Sequence, residues 1–586
     1  MKHKWVFDIK RNGTFRARLV ACGYTQVPGI DFTEACSPVV NDVVFRIMIL
    51  LQMVWKLHAK IIDVETAFLH GELEEEIFMD CPQGLDSKPE DCLLLKKSLY
   101  GLVQSARQFF KKLVAVLKLI GFVQSTADPC LMIRSNDLGL VIIAIYVDDC
   151  YAIGHEIALL DTIKKIQENG LKVKVENDLH DYLSCEVVFN NDKTKAWLGQ
   201  PHLVKRLEKS FTEFIESRKK YNFLTPGTPG FNVVRPKTEE EKVSAVEQTI
   251  YRSAVGTLLQ FVKHSKPDIA NPVRELSKCM NAATPDAVKE LKQIISFVLK
   301  TREYGLRIAP KYTQDDWSLT VYSDSDWAGD KENRHSITGF VIFFLGVPVL
   351  WRSRAQKALA LSSSKAEYYA MSEAAKEIRF IVQLLESMNV AVKKPIVVYA
   401  DNIGAIFMSE NASATSRTRH IDARYHFVRE FIEEGFLKVV FVKTTENKSD
   451  LFTKNVSSNI YDSHVQDYVM ERGEIAGIAF GVSEDGCWRL PGEYGNHEDS
   501  PVVPVEYSET PIRLPGTSTS NVTTCTSTLV VSSGAGFVGP GGCPIQDTEH
   551  WCRGYIDDRD TSVVYGCHGS DSRESITRSL SNGNKG

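Results

Sequence analysis

The sequence predicts a multidomain chain of mixed α/β and α+β construction, and three observations lead there. At 586 residues it is too long for one hydrophobic core, since single cores stop growing near about 250–300 residues. Acidic side chains stand twice at the ends of apolar, β-branched runs: Asp148 and Asp149 split such a run within residues 142–154, and further acids punctuate the strand and helix patterns of 317–456. Residues 457–586 lose that patterning and are rich in Gly, Ser, Thr, Pro and acids, a composition that predicts a disordered tail.

Charge divides the chain the same way. The tail from Ser457 holds 8 basic against 18 acidic side chains, so the net charge of −5 hides a body of +5. A mildly basic body with acidic clusters suits a polyanion held through cations and Lys/Arg. No apolar run reaches the roughly 18 residues of a membrane span, and the start lacks an apolar leader, so neither insertion nor secretion is expected and an intracellular chain is. The 13 cysteines form no CxxC pair, which argues against a zinc ribbon and for reduced thiols.

Taken in order, residues 5–10 and 15–20 read as two strands joined by Arg11-Asn12-Gly13, and alternation puts Arg16 and Arg18 on one face, where they could grip phosphate. Residues 42–56 are an apolar helix. Residues 57–69 are a strand running into a turn, with Asp63 near its end as a helix cap, an ion-pair partner or a metal ligand. Residues 142–154 form a hairpin with Asp148 and Asp149 at its tip, two like charges that need a screening cation; the presence of this pair favours the ligand reading of Asp63. Residues 224–230, LTPGTPG, are a linker, and 251–300 are helical. Beyond them, Asp324 follows the run 319–323, Glu367 lies on a helix beginning near 362, Asp401 follows 396–400, and Asp450 opens Asp450-Leu451-Phe452. Two acids after strands, one on a helix and a late fourth match the needs of a two-metal nuclease.

Five segments, RARLVACGYTQVPGIDFTEACSPVV, IIDVETAFLHGELEEEIFM, KKSLYGLVQSARQFF, DPCLMI and IYVDD, in this order resemble the reverse transcriptase of copia-type retrotransposons. YSDSDWAGD, SSSKAEYYA, YADNIGAI, SRTRHIDARYHFVRE and NKSDLFTKN resemble the ribonuclease H domain of the same family. The resemblance implies a right-hand polymerase of fingers, palm and thumb over 1–222, a thumb and connection region over 223–312, a ribonuclease H-like α/β domain over 313–456 and the tail over 457–586. It implies Mg²⁺ or Mn²⁺, two ions per active site, on Asp63, Asp148 and Asp149 in the palm and on Asp324, Glu367, Asp401 and Asp450 in the nuclease, with Asp326 a runner-up to Asp324. It further implies a triphosphate contact at Arg18 or Arg16, a sugar-discriminating ring at Phe68, a nucleotide-seating amide at Gln104, and contacts to an RNA–DNA hybrid from a basic cluster that includes Arg417, Arg419, His420, Arg424 and His426.

The implied activity is RNA-directed DNA synthesis with ribonuclease H cleavage, and the implied partners are an RNA template, a DNA primer, their hybrid and dNTPs. Room is left for a homo- or heterodimer with other element products, in the cytoplasm, a virus-like particle or the nucleus. The chain departs from the family's pattern in a shortened N-terminal fingers region, in Val103 and Ala106 where lysine and proline are usual, and in Ser184 or Cys185 where a glycine is usual. These departures frame the alternative expectation, an inactive remnant that binds nucleic acid.

Overall fold

The computed structural model describes residues 1–9, 13–85, 88, 90–177, 179, 182–215, 224–312, 316–411, 427–476, 554–556 and 563–565. The chain divides into one compact unit of Met1–Ala479 with Gly554–Gly586 and a second of Phe480–Arg553, which lies outside the described residues. Most of the tail expected to be disordered lies outside them too.

The first strands, β1 (His3–Ile9) and β2 (Phe15–Ala21), pair antiparallel with Asp8 opposite Arg16 and Val6 opposite Arg18. The period of two therefore carries both arginines to one face. The opposite face is apolar and open, with Trp5, Phe7, Ile9 and Phe15 all exposed. Helix α1 (Asp42–Val54) starts where the Asn41 side chain accepts from the Val43 amide, and Val43 through Met53 are buried without a break. A helix apolar all round belongs inside a core.

A six-stranded sheet of described strands follows. Its members are β3 (His58–Val64), β6 (Val123–Gln124), β7 (Leu131–Asn136), β8 (Gly139–Tyr146), β9 (Asp149–Gly154) and β10 (Val173–Glu176), in the order β10-β3-β9-β8-β7-β6. Between β3 and β6 come the short pair β4 (Phe78–Asp80) and β5 (Cys92–Leu94) and helix α2 (Ser105–Leu119); α3 (Glu156–Glu168) follows β9. Valine and isoleucine dominate β8, and cysteine, tyrosine, alanine and isoleucine line β9; Ile142 through Ile145 and Cys150 through Ile153 are buried. Burial on both faces explains why they read as continuous apolar runs.

A four-stranded sheet then gathers distant parts of the chain. Strands β11 (Glu186–Phe189) and β12 (Ala196–Gly199) precede α4 (Pro201–Ile215), α5 (Ala245–His264), α6 (Ala270–Ser277) and α7 (Pro285–Lys300); β13 (Tyr304–Ile308) pairs with β12. The capping box of Ser244 and Glu247 starts α5, and Thr284 with Pro285 starts α7, the start signals expected of those residue types.

The last domain is a five-stranded sheet of described strands, β14 (Leu319–Asp326), β15 (Ile337–Phe344), β16 (Val347–Ala355), β17 (Ile396–Ala400) and β18 (Leu437–Phe441), in the order β16-β15-β14-β17-β18. Strands β14, β17 and β18 run parallel and β15 and β16 antiparallel. Helices α8 (Ser363–Ser387), α9 (Ile403–Glu410) and α10 (Phe427–Glu433) connect them. Strands and helices alternate here as the sequence pattern predicted, and the mixed five-stranded sheet agrees with the α/β layout that the resemblance implied for this domain. One expectation needs correcting: the disordered tail does not begin at 457. Helix α11 (Ser458–Val465) packs Tyr461 into the core, and β19 (Val469–Glu471) pairs with β13. Tyr461, Tyr468, Val469 and Met470 are buried, and four apolar side chains within ten residues are enough to hold this stretch on the body.

Candidate functional sites

In the palm, backbone register gathers the acids. Strand β3 lies beside β9 with Asp63 opposite Asp149, and the Val64 amide donates to the Asp148 carbonyl at 3.2 Å. Tyr146, which pairs with Asp149 on β8, and the two turn residues complete a hairpin whose Val147 has φ +55°. A left-handed β-branched residue is uncommon, and here it sharpens the turn that aims Asp148 beside Asp149. All three acids are half-buried, next to the buried runs 142–145 and 150–153 and to buried Ile61, Ile62 and Val64 on β3. Burial and the negative charges of Asp149, Asp148 and Asp63 push the neighbouring Cys150 thiol up, as expected where like charges crowd.

The fingers hairpin meets this site through a side chain that sequence reasoning missed. The Arg18 guanidinium lies 5.6 Å from the centre of the Tyr100 ring, and Tyr100 lies 4.8 Å from the Phe68 ring, which packs in turn on Phe109. The Tyr100 hydroxyl is pushed up by burial and by Asp148 and Asp63, and drawn down by Arg18 and Arg16. Its surroundings thus join the fingers arginines to the palm acids. Gly101 makes the approach possible: it holds φ +91°, and a Cβ there would stand 2.1 Å from the Ala21 carbonyl oxygen. The Ala21 amide donates to Tyr100 O at 2.8 Å, tying loop to hairpin. An aromatic residue followed by glycine just before a helix was the signal available in the sequence.

Gln104 is placed in the interior. It stands at the N-terminus of α2, fully buried, with its amide nitrogen donating to Asp31 O at 3.0 Å and its oxygen accepting from Gln26 Nε2 at 3.1 Å. Gln26 accepts in turn from the Val103 amide. The amide nitrogen also lies 3.4 Å from Glu75 Oε2, so both of its hydrogens have acceptors in this structure; Gln104 holds the loop that carries Tyr100.

The nuclease acids come together more tightly. Strand β14 runs on through Asp324 to Asp326 where the sequence suggested an end at 323, and Asp324 pairs with Gly339. Ser362 accepts from the Lys365 amide to start α8, which places Glu367 one turn in; Asp401 leaves the end of β17; Asp450 lies in a short 3-10 turn, Lys448–Phe452. Gly339 admits that turn, because a Cβ would stand 2.5 Å from Thr453 Cγ2. Asp324, Glu367 and Asp401 each offer an oxygen within 4.8 Å of the other two, and among the described residues no second trio of His, Cys, Asp or Glu closes as far. The palm acids meet by strand register without reaching that spacing.

Glu367 accepts from the Ser325 amide at 3.0 Å through Oε1, while its buried Oε2 has no hydrogen-bond partner. Its carboxyl is pushed well above the usual range by burial, then by Asp324 and Asp401. Asp401 is pushed up by burial and Asp324, Asp326 by burial, and Asp450 by burial and Asp324 to about 7. Thr453 Oγ1 donates to Asp324 Oδ2, and Lys454 Nζ lies 3.1 Å from Asp450 Oδ1. Carboxylates crowded in a buried site, with Glu367 Oε2 and Asp450 Oδ1 both accepting no hydrogen bond, form a hard-oxygen donor set suited to Mg²⁺ or Mn²⁺. Asp326 stands beside this group. Arg417, Arg419, His420, Arg424 and His426 lie outside the described residues.

Among the described residues no helix is long and apolar enough to cross a membrane, and the eight described cysteines are free thiols.

Residues 1–213 match the family described as reverse transcriptase (RNA-dependent DNA polymerase). The chain is 34% identical over 470 residues to the retrovirus-related Pol polyprotein from transposon TNT 1-94 of Nicotiana tabacum, covering 79% of this chain and 35% of that protein. It is 32% identical over 473 residues to the corresponding polyprotein from transposon RE1 of Arabidopsis thaliana, covering 78% and 31%. The chain therefore spans about a third of the length of these relatives. Among solved structures, a foamy viral protease-reverse transcriptase in complex with double-stranded DNA aligns with a TM-score of 0.41 at 14% identity, over 76% of this chain and 66% of that one.

Proposed function

Because residues 1–213 belong to the reverse transcriptase family and the chain is homologous to copia-type transposon Pol polyproteins, we propose that it is an RNA-directed DNA polymerase that also degrades the RNA strand of the hybrid it makes. The observation that carries the polymerase half is the register of Asp63 against Asp149, with Asp148 at the same hairpin tip and with Tyr100 within electrostatic reach of Asp63, Asp148, Arg16 and Arg18. Asp63, Asp148 and Asp149 would hold the palm ions, and Asp324, Glu367, Asp401 and Asp450 those of the nuclease. Bound divalent ions supply charge neutralisation at the reacting phosphate and lower the proton affinity of the attacking oxygen.

This chain's own residues do the rest. Arg16 and Arg18 present guanidinium donors to the triphosphate of an incoming dNTP, a fork geometry suited to phosphate oxygens. Phe68 and Tyr100 form an aromatic wall beside the acids, placed to exclude a ribose 2′ hydroxyl by contact. In the nuclease, the raised carboxyls of Glu367 and Asp401 disfavour a fully ionised site until cations arrive, and the Ser325 amide keeps Glu367 Oε1 in place. The substrates are an RNA template, a DNA primer, their hybrid and dNTPs, inside the cell that carries the element.

Primer extension on poly(rA)/oligo(dT) with Mg²⁺ tests the polymerase. Wild type extends the primer, and Asp148→Asn lowers extension by about a thousandfold, the scale of several kcal/mol of lost charge stabilisation. Extension no higher than that of Asp148→Asn leaves the chain a nucleic-acid-binding remnant.

A further inference from the structure

The nuclease site contains a cation of its own. Lys454 follows the 3-10 turn that carries Asp450, and its Nζ lies 3.1 Å from Asp450 Oδ1. The Asp450 side chain is 3% exposed, whereas that of Lys454 is 40% exposed. Lys454 also lies within electrostatic reach of Asp324 and Asp326. The carboxylates are thus arranged unevenly: Asp324, Glu367 and Asp401 each bring an oxygen within 4.8 Å of the other two, while Asp450 Oδ1, which like Glu367 Oε2 accepts no hydrogen bond, has the Lys454 ammonium 3.1 Å away.

Resting on the nuclease reading above, we propose that Lys454 is a positioning residue that occupies the second cation's place on Asp450, so that the free site takes one divalent ion on Asp324, Glu367 and Asp401, and admits a second only when Lys454 swings off. An ammonium 3.1 Å from a carboxylate oxygen covers the face that a metal would ligate, and it repels a divalent ion there. Lysine suits the task because its charge sits on a flexible four-carbon stem. Its exposure lets it leave for the phosphate of an arriving hybrid without disturbing the buried carboxylates. The nuclease then completes its cation set only with substrate bound, which keeps the free site from holding two ions with nothing to cut.

The test is Mn²⁺ binding, measured by electron paramagnetic resonance and calorimetry on the full chain. Asp148→Asn and Asp149→Asn are present in every arm, so that the palm contributes no ion. The parent binds one ion; Lys454→Met binds two, the second at least about tenfold tighter than any second ion of the parent, as removal of a like charge at near contact requires. Lys454→Arg stays at one ion. Lys454→Met is also the less stable protein without metal and regains its Tm in millimolar Mg²⁺. Equal ion counts and affinities in the parent and Lys454→Met overturn the proposal, as does loss of the first ion in Lys454→Met. Adding Asp401→Asn to the parent distinguishes the two levels: if it leaves Mn²⁺ binding unchanged, the carboxylate trio is not the ion site, and the nuclease reading falls with the proposal.

Discussion

At the residue scale, the loop before α2 shows two side chains in different surroundings. The resemblance implied a nucleotide contact at Gln104, whose buried amide bonds to Gln26 and Asp31 in this structure. Tyr100, four residues earlier, takes the position between Arg18 and Phe68. Removing its ring in Tyr100→Ala deletes a cation–π and an aromatic contact worth together about 1–1.5 kcal/mol. Steady-state primer extension is therefore expected to show KM for dNTP raised about tenfold, with kcat less affected and Tyr100→Phe close to wild type. A second residue sets a pH dependence. Buried His264 has its pKa lowered to about 4, chiefly by burial, against about 6.5 unfolded. The folded pKa is the lower one, so the stability linked to this neutral ring is complete above about pH 6.5 and is lost as pH falls toward about 4, by about 3 kcal/mol in all. Urea unfolding across that window should show a steeper loss in wild type than in His264→Gln.

At the element scale, the turn that follows the palm departs from what its residues prefer. Leu183 and Ser184 both hold positive φ, +56° and +59°, and the Cys185 amide closes the turn onto Tyr182 O at 2.9 Å. Two consecutive left-handed residues are the pattern that favours Asn-Gly, and Ser184→Gly is expected to stabilise the protein by about 1 kcal/mol, read as a rise in Tm. The resemblance implied that a glycine is replaced here, but not that the backbone keeps the left-handed conformation without it. Legibility elsewhere followed the same division. Strands β3, β8 and β9 and the acids at their ends were readable because buried β-branched runs and a paired carboxylate are local signals. The end of β14 was not, since Asp324 to Asp326 continue the strand only because β15 runs alongside. Nor was the folding of α11 and β19, whose partner β13 lies some 165 residues earlier; a three-residue strand has no period of its own, and its pairing is tertiary. Lys454 escaped attention because lysines near helix turns are usually solvated, and only the fold brings its ammonium to Asp450.

At the scale of the whole molecule, the part that holds Asp63, Asp148 and Asp149 and the part that holds Asp324, Glu367 and Asp401 share structure. Arg46, on α1, is buried; it donates from Nε to Val349 O on β16 at 2.7 Å and to Lys263 O at 3.1 Å, with its guanidinium 4.3 Å from the Trp351 ring centre. The four-stranded sheet adds a second joint by pairing β12, β13 and β19. Arg46→Met keeps the apolar stem but leaves two carbonyls without their donor, a cost of about 3 kcal/mol. Differential scanning calorimetry should then resolve two transitions, palm and nuclease, where wild type unfolds in one; a single transition at unchanged Tm would show that Arg46 does not couple them. The joined architecture still keeps two chemically separate acid sites, one gathered by strand register and one by the convergence of β14, α8 and β17. The measurement that bears most directly on this uses one reaction, a labelled RNA template annealed to a labelled DNA primer with dNTPs and Mg²⁺, followed for primer growth and template cleavage together. The structure predicts that wild type does both, that Asp148→Asn cleaves without extending, and that Asp401→Asn extends without cleaving; loss of both activities in either variant, or neither activity in wild type, would contradict it.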